Sequence, residues 1–132
     1  MGCSVLVVDD ETEFARDLSG QLRSFGHSVD IAYGGAEALD MLKQREYDVA
    51  LVDMLMQQMD GMQTVRGIRK MSPLVEVIVL TGHASITSGI EIMKLGAFDY
   101  LLKPCSIEFL SRKIDEACEK REMALQRAGR VK

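Results

Sequence analysis

The sequence predicts an α/β fold, a doubly wound parallel five-stranded sheet built from five consecutive βα units. Three observations lead there. Five short apolar runs alternate with five helix-like stretches along 132 residues. Runs such as Val77-Ile78-Val79-Leu80 are apolar at every position, as strands are when helices cover both faces of a sheet. Acidic, hydroxyl and basic residues gather where those runs end, and open α/β sheets bind ligands at the carboxyl ends of their strands. Strict alternation of this kind implies right-handed crossovers.

The strands are expected at about 4–9, 28–32, 48–53, 76–81 and 98–102. Between the first two, Phe14, Leu18, Leu22 and Phe25 form a stripe that fits a helix with one buried face. Thr12 is placed to cap its start, and Gly26 lies just past its end. The second helix is expected over about Ala36 to Glu46 and the third over about Met62 to Met71, before Ser72-Pro73. A fourth runs from about Ser85 to Leu95 and stops at Gly96. The last begins near Ser106 and carries Ile107, Leu110, Ile114 and Ala117 on one face.

A length of 132 residues suits one domain with a real core, and 47% hydrophobic with 27% charged residues is a globular composition. We divide the chain into a domain over 1–120 and a helix end or linker over 121–132. The net charge of -4 is uneven, because the final twelve residues carry four cations against Glu122 and the remainder is correspondingly more acidic. An acidic body argues against direct nucleic-acid binding, which needs clustered Lys and Arg. No apolar stretch approaches the roughly 18 residues of a membrane span, and the start has no signal-peptide pattern. Cys3, Cys105 and Cys118 are odd in number and lack metal-ligand spacing. Reduced thiols in the cytoplasm are therefore expected. His27 and His83 read as ordinary, partly exposed residues, and the nine methionines as core and gap fillers.

Asp53 carries the most information. It ends the run Asp48-Val49-Ala50-Leu51-Val52, while Asp9-Asp10 ends Ser4-Val5-Leu6-Val7-Val8. If those strands are neighbours, three carboxylates share one pocket and repel unless a cation sits among them. Oxygen donors select a hard ion, so the expected cofactor is Mg2+ (or Mn2+). Thr81 and Lys103, at the ends of the fourth and fifth strands, add a hydroxyl and an ammonium. Such a set suits phosphoryl transfer onto a carboxylate, with Asp53 as nucleophile and charge neutralisation supplying most of the catalysis.

Taken in order, Asp9-Asp10, Asp53, Met59-Asp60-Gly61, Thr81-Gly82 and Asp99-Tyr100-Leu101-Leu102-Lys103-Pro104 resemble the receiver domain of two-component response regulators, over about residues 4–120. The resemblance implies a flavodoxin-like strand order, 2-1-3-4-5. It implies that Asp53 accepts a phosphoryl group from a histidine kinase or a small acyl phosphate. Asp10, Asp53 and the Leu55 carbonyl would ligate the metal, with Asp9 acting through water. Thr81 and Lys103 would contact the phosphoryl oxygens, and Tyr100 would turn inward as Thr81 moves. The Lys103–Pro104 bond would be cis.

The same resemblance makes the fourth helix, fifth strand and fifth helix the readout surface, through homodimerisation or docking of an output domain or partner. Residues 81–86 and 93–100 are similar to receivers of regulators that drive ATPase-type transcription activators. Gln57 stands where many receivers have Pro, which suggests a more mobile loop. Leu55 and His83 occupy positions that tune phosphate lifetime, and bulky Leu55 suggests slow hydrolysis. No catalysis beyond its own phosphorylation and dephosphorylation is expected. An aspartyl-phosphate phosphohydrolase would want an acid at Leu55, and a flavin domain a hydroxyl-rich loop where Asp9-Asp10-Glu11 stands. A constitutive interaction module is the remaining alternative.

Overall fold

The computed structural model describes residues 2–83 and 85–129. The elements alternate as β1 (Ser4–Val8), α1 (Thr12–Ser24), β2 (Ser28–Ala32), α2 (Gly35–Gln44), β3 (Val49–Val52), α3 (Gly61–Met71), β4 (Glu76–Thr81), α4 (Ile86–Lys94), β5 (Asp99–Leu102) and α5 (Ile107–Arg127). All strand pairs are parallel, in the order β2-β1-β3-β4-β5. This is the doubly wound, flavodoxin-like (βα)5 architecture. The register opposes Val8 to Val52 and Val52 to Val79, so the acids that follow β1 and β3 leave the sheet side by side.

The uniformly apolar strands divide their side chains between two cores by alternation. Leu6, Val8, Ala50, Val52, Val77 and Val79 pack on one face with Ala38 and Leu42 of α2, Val65 and Ile68 of α3 and Ile92 of α4. Val5, Val7, Val49, Leu51, Ile78 and Leu80 pack on the other face with Leu18 and Leu22 of α1 and Leu110, Ile114 and Ala117 of α5. Burying both faces supplies the main favourable term of folding, and it leaves only the strand ends for polar chemistry.

Local signals set the helix ends. Gly26 has φ +96, and the Gly26 and His27 N–H groups donate to Arg23 and Leu22 carbonyls, which is a Schellman closure. Phe25 sits at that turn rather than on the buried stripe and is exposed. Thr12 is already helical and caps nothing; instead the Asp9 carboxylate accepts from the Glu11 N–H. Asp60 caps α3 reciprocally with Gln63. Gly61 begins that helix because a Cβ there would strike the Asp53 carbonyl. Ser85 and Ser106 cap α4 and α5 with their hydroxyls.

Two expectations change in three dimensions, the exposure of His27 and the state of the cysteines. α5 continues to Arg127, and Arg121 is a buried member of it. Arg121 donates to Asp48 Oδ1 at 3.0 Å and Glu46 Oε1 at 2.9 Å. His27 is buried rather than partly exposed: Cys3 N–H donates to its Nδ1 at 3.2 Å, and Nε2 lies 3.0 Å from Ser111 Oγ. Burial lowers its pKa below 6.5, opposed by Asp115. Cys3 and Cys118 are joined as a disulfide, leaving Cys105 as the free thiol. Reduced thiols were expected from the odd number of cysteines and their lack of metal-ligand spacing, but the fold brings these two together across 115 residues. No described helix is long and apolar enough to cross a membrane.

Candidate functional site

β1 and β3 are adjacent, so their terminal acids converge. Carboxylate oxygens of Asp9, Asp10 and Asp53 all lie within 4.8 Å of one another. Asp9 and Asp53 are buried and Asp10 is half-buried. Lys103, carried in by the loop after β5, reaches the same pocket from the other side. Its Nζ lies 2.8 Å from Asp9 Oδ2, 3.2 Å from Glu11 Oε1 and 3.7 Å from Asp53 Oδ2. The ammonium also sits 3.9 Å above the centre of the Phe14 ring, a cation–π contact that holds it in place. The Lys103–Pro104 peptide is cis.

The pKa values of Asp9 and Lys103 both rise in this crowding, for different reasons. Burial raises the Asp9 carboxyl above its ordinary value, although Lys103 and the Glu11 N–H act to lower it. Burial works to lower Lys103, but its hydrogen bond to Asp9 and the charges of Asp9 and Asp53 outweigh that, and its pKa rises. An ion pair alone would depress Asp9. Its rise therefore reflects loss of water around a carboxylate whose one cation is shared with Glu11 and Asp53.

Both Asp9 oxygens are engaged, by Lys103 Nζ and by Glu11 N–H. Asp10 Oδ2 accepts from the Gln57 N–H at 2.9 Å, a bond that proline could not donate. The loop after β3 is thus tied across the pocket by the residue that replaces proline. Asp53 Oδ1 is buried with no hydrogen-bond partner among the described residues. An orphaned buried carboxylate oxygen among three acids is what a hard cation satisfies, so this donor set fits a divalent ion.

Thr81 ends β4 fully buried, and its Oγ1 accepts from the His83 N–H at 3.1 Å. Tyr100 is half-buried on β5, with Gly89 of α4 against its ring. Its hydroxyl accepts from the Ser85 N–H at 3.2 Å, which connects it to the start of α4. Leu55 projects outward, 58% exposed, and His83 is exposed. Sequence reasoning named Glu11, Phe14 and Gln57 but gave none of them a contact in this pocket. Glu11 directly follows the acid pair and Phe14 is one helical turn further on, but neither spacing announces a lysine 92 residues away from Glu11.

Comparison with known proteins gives the family and the fold. The family model for the response regulator receiver domain matches residues 5–115. The chain is 34% identical over 113 residues to the transcriptional regulatory protein ZraR of Escherichia coli O157:H7, covering 86% of this chain and 26% of that protein. It is 38% identical over 115 residues to the transcriptional regulatory protein GlrR of Escherichia coli K12, covering 87% and 26%. It therefore spans about a quarter of the length of these relatives. A receiver domain protein from Clostridium thermocellum superposes with TM-score 0.87 at 34% identity, covering 92% of this chain and 98% of that one. NtrX from Brucella abortus superposes with TM-score 0.89 at 26% identity, covering 98% and 29%. In sequence and in fold, this chain belongs to the response regulator receiver domain family.

Proposed function

We propose that this receiver is a switch operated at Asp53, which takes a phosphoryl group from a sensor histidine kinase or a small acyl phosphate. The observation that carries the reading is Asp53 itself: buried, with one oxygen unpartnered among the described residues, between two carboxylates and an ammonium. One Asp53 oxygen forms a bond to phosphorus, the bond to the donor's nitrogen or acyl oxygen breaks, and the product is an aspartyl phosphate. A carboxylate needs no general base, being ionised at neutral pH. Asp10, Asp53 and the Leu55 carbonyl would hold Mg2+ (or Mn2+), with Asp9 reaching it through water. Bound there, the ion neutralises charge on the transferring group.

Lys103 and the Thr81 hydroxyl are assigned to the remaining phosphoryl oxygens. When Thr81 turns toward the phosphate, the His83 N–H loses its acceptor and the start of α4 is freed to shift. Tyr100, bonded to that start at Ser85, is the residue that registers the shift. The neighbouring surface is suited to a readout. Ile86, Ile90 and Met93 recur at helical spacing on α4 yet face solvent, Ile86 at 85% exposure, and Leu102 of β5 joins them. An apolar stripe of that kind marks a docking face. We assign it to a second copy of the receiver, through α4, β5 and α5, with an output domain responding. The likeness to transcriptional regulatory proteins supports an output that controls transcription, in regulators of the ATPase-type activator class, acting in the cytoplasm. Direct nucleic-acid contact is not assigned to this acidic domain, nor any reaction beyond its own phosphorylation and dephosphorylation. The outward Leu55 side chain leaves no acid for a phosphohydrolase.

Incubation with Mg2+ and acetyl phosphate, followed by intact mass measurement, tests the assignment. One phosphoryl adduct is expected on the parent chain and none on Asp53→Asn. An unmodified parent, or equal adducts on both, would sink the reading and leave a constitutive interaction module.

A further inference from the structure

At the opposite edge of the sheet from Asp53, Cys3 precedes β1 and Cys118 lies on α5. Their sulfurs are bonded and their Cα atoms are 6.3 Å apart, within the range a disulfide requires. Cys3 is buried and Cys118 half-buried, so a small reagent in solvent meets Cys118 first. His27, Asp48 and Asp115 stand close by, and such a set invites a metal reading. Two groups are already committed, however. His27 Nδ1 accepts from the Cys3 N–H, which puts the ring hydrogen on Nε2, facing Ser111 Oγ. Asp48 spends one oxygen on the Ser4 N–H and the other on Arg121. The Cys3 sulfur also lies 4.0 Å from Asp115 Oδ1, to which it can donate only as a thiol, and its covalent partner is Cys118.

We propose that Cys3 and Cys118 form a reversible dithiol/disulfide pair that exchanges with low-molecular-weight disulfides and, when oxidised, locks α5 to the start of β1. The Cys118 thiolate attacks one sulfur of the small disulfide, breaking its S–S bond and releasing one thiolate. The Cys3 thiolate then attacks Cys118 Sγ in the mixed disulfide, forming the internal bond and releasing the second thiolate. Two protein thiols are oxidised, the reagent is reduced to two thiols, and those thiols take up the two protons. In a reducing compartment such a bond acts as a signal rather than a permanent staple. Its mechanical reach is specific. Residue 118 sits midway along α5, so oxidation pins a helix of the proposed readout face from the end remote from phosphorylation.

The test is independent of the phosphorylation reading. The reduced chain and its Cys105→Ser variant are treated with glutathione disulfide and digested with trypsin without reduction. Peptides 1–16 and 114–120 should appear linked, two hydrogens lighter than their sum, and separate again with dithiothreitol. In the parent chain, Cys105 should carry no more than a mixed disulfide. A stable mixed disulfide on Cys118 without the linked peptides, or no reaction at Cys118, would overturn the pair. Amide exchange in α5 beyond Cys118 should slow about tenfold or more on oxidation of the unmutated chain. Equal rates in the two redox states would overturn the lock.

Discussion

Replacing Asp53 by Asn should make the folded chain more stable once divalent ions are chelated, although it abolishes the proposed acceptor. Oxygens of Asp9, Asp10 and Asp53 lie within 4.8 Å of one another. At an effective dielectric of about 20, each like-charged pair at that separation costs about 3.5 kcal/mol. Lys103 Nζ, 3.7 Å from Asp53 Oδ2, returns about 4.5 kcal/mol on the same scale. Two repulsions against one attraction leave the Asp53 charge unfavourable by about 2.5 kcal/mol. Solvent around half-buried Asp10 screens part of this, whereas the unpartnered Oδ1 adds to the cost. The expected gain for Asp53→Asn is therefore about 1–3 kcal/mol.

Urea unfolding followed by circular dichroism in EDTA measures it, since the chain has no tryptophan to report by fluorescence. The midpoint should rise with the slope unchanged. Mg2+ should then narrow or reverse the difference, because an ion at a hundred times its Kd stabilises the parent by about 2.7 kcal/mol. An Asn variant no more stable than the parent in EDTA would refute the electrostatic reasoning. A magnesium effect equal in both proteins would refute the metal assignment.

Two further outcomes follow from groups outside that pocket. Arg121→Ala should cost about 2–4 kcal/mol, because it leaves partly buried Asp48 without its cation, and exposed Glu46 recovers water cheaply. Thermal unfolding reads this, and a loss of only a few tenths would mean the end of α5 is peripheral. Lowering the pH through 6.5 should destabilise the chain through His27. Burial depresses its folded-state pKa, so its contribution is present above 6.5 and is lost as the pH falls through the folded value. Asp9 and Glu76 are both raised by burial and act in the opposite sense, gaining stability as the pH falls toward 3.8 and 4.5. The difference between the parent and His27→Gln isolates the histidine, and identical urea midpoints from pH 7 to about 5 would discard this account.

Much of the fold was legible because its signals are local. A short apolar run without a polar face, as in β1, β3 and β4, fits a strand covered on both faces, and five βα repeats leave few topologies. The strand ends were legible for the same reason: Asp9, Asp10, Asp53, Thr81 and Lys103 each follow a run whose end the pattern marks. Helix starts were read less well where tertiary contacts compete with a local cap. Thr12 looked like a cap, yet the Asp9 carboxylate took the Glu11 N–H and Thr12 entered the helix.

The sequence by itself determined the βα alternation, the two-sided burial of the sheet and the inventory of groups at its carboxyl edge. Periodicity and residue type encode those over a few residues at a time. Only the tertiary structure decided who meets whom. Lys103 finds Asp9 across 94 positions and Arg121 finds Asp48 across 73. Cys3 finds Cys118 across 115, and the Gln57 amide closes on Asp10. Such partners are chosen by strand order and by the end of the sheet at which each loop emerges. That is why Asp53 was visible as an acid at a strand end, while its unpartnered oxygen and its share of a single lysine emerged only when β1, β3 and β5 delivered their ends to one place.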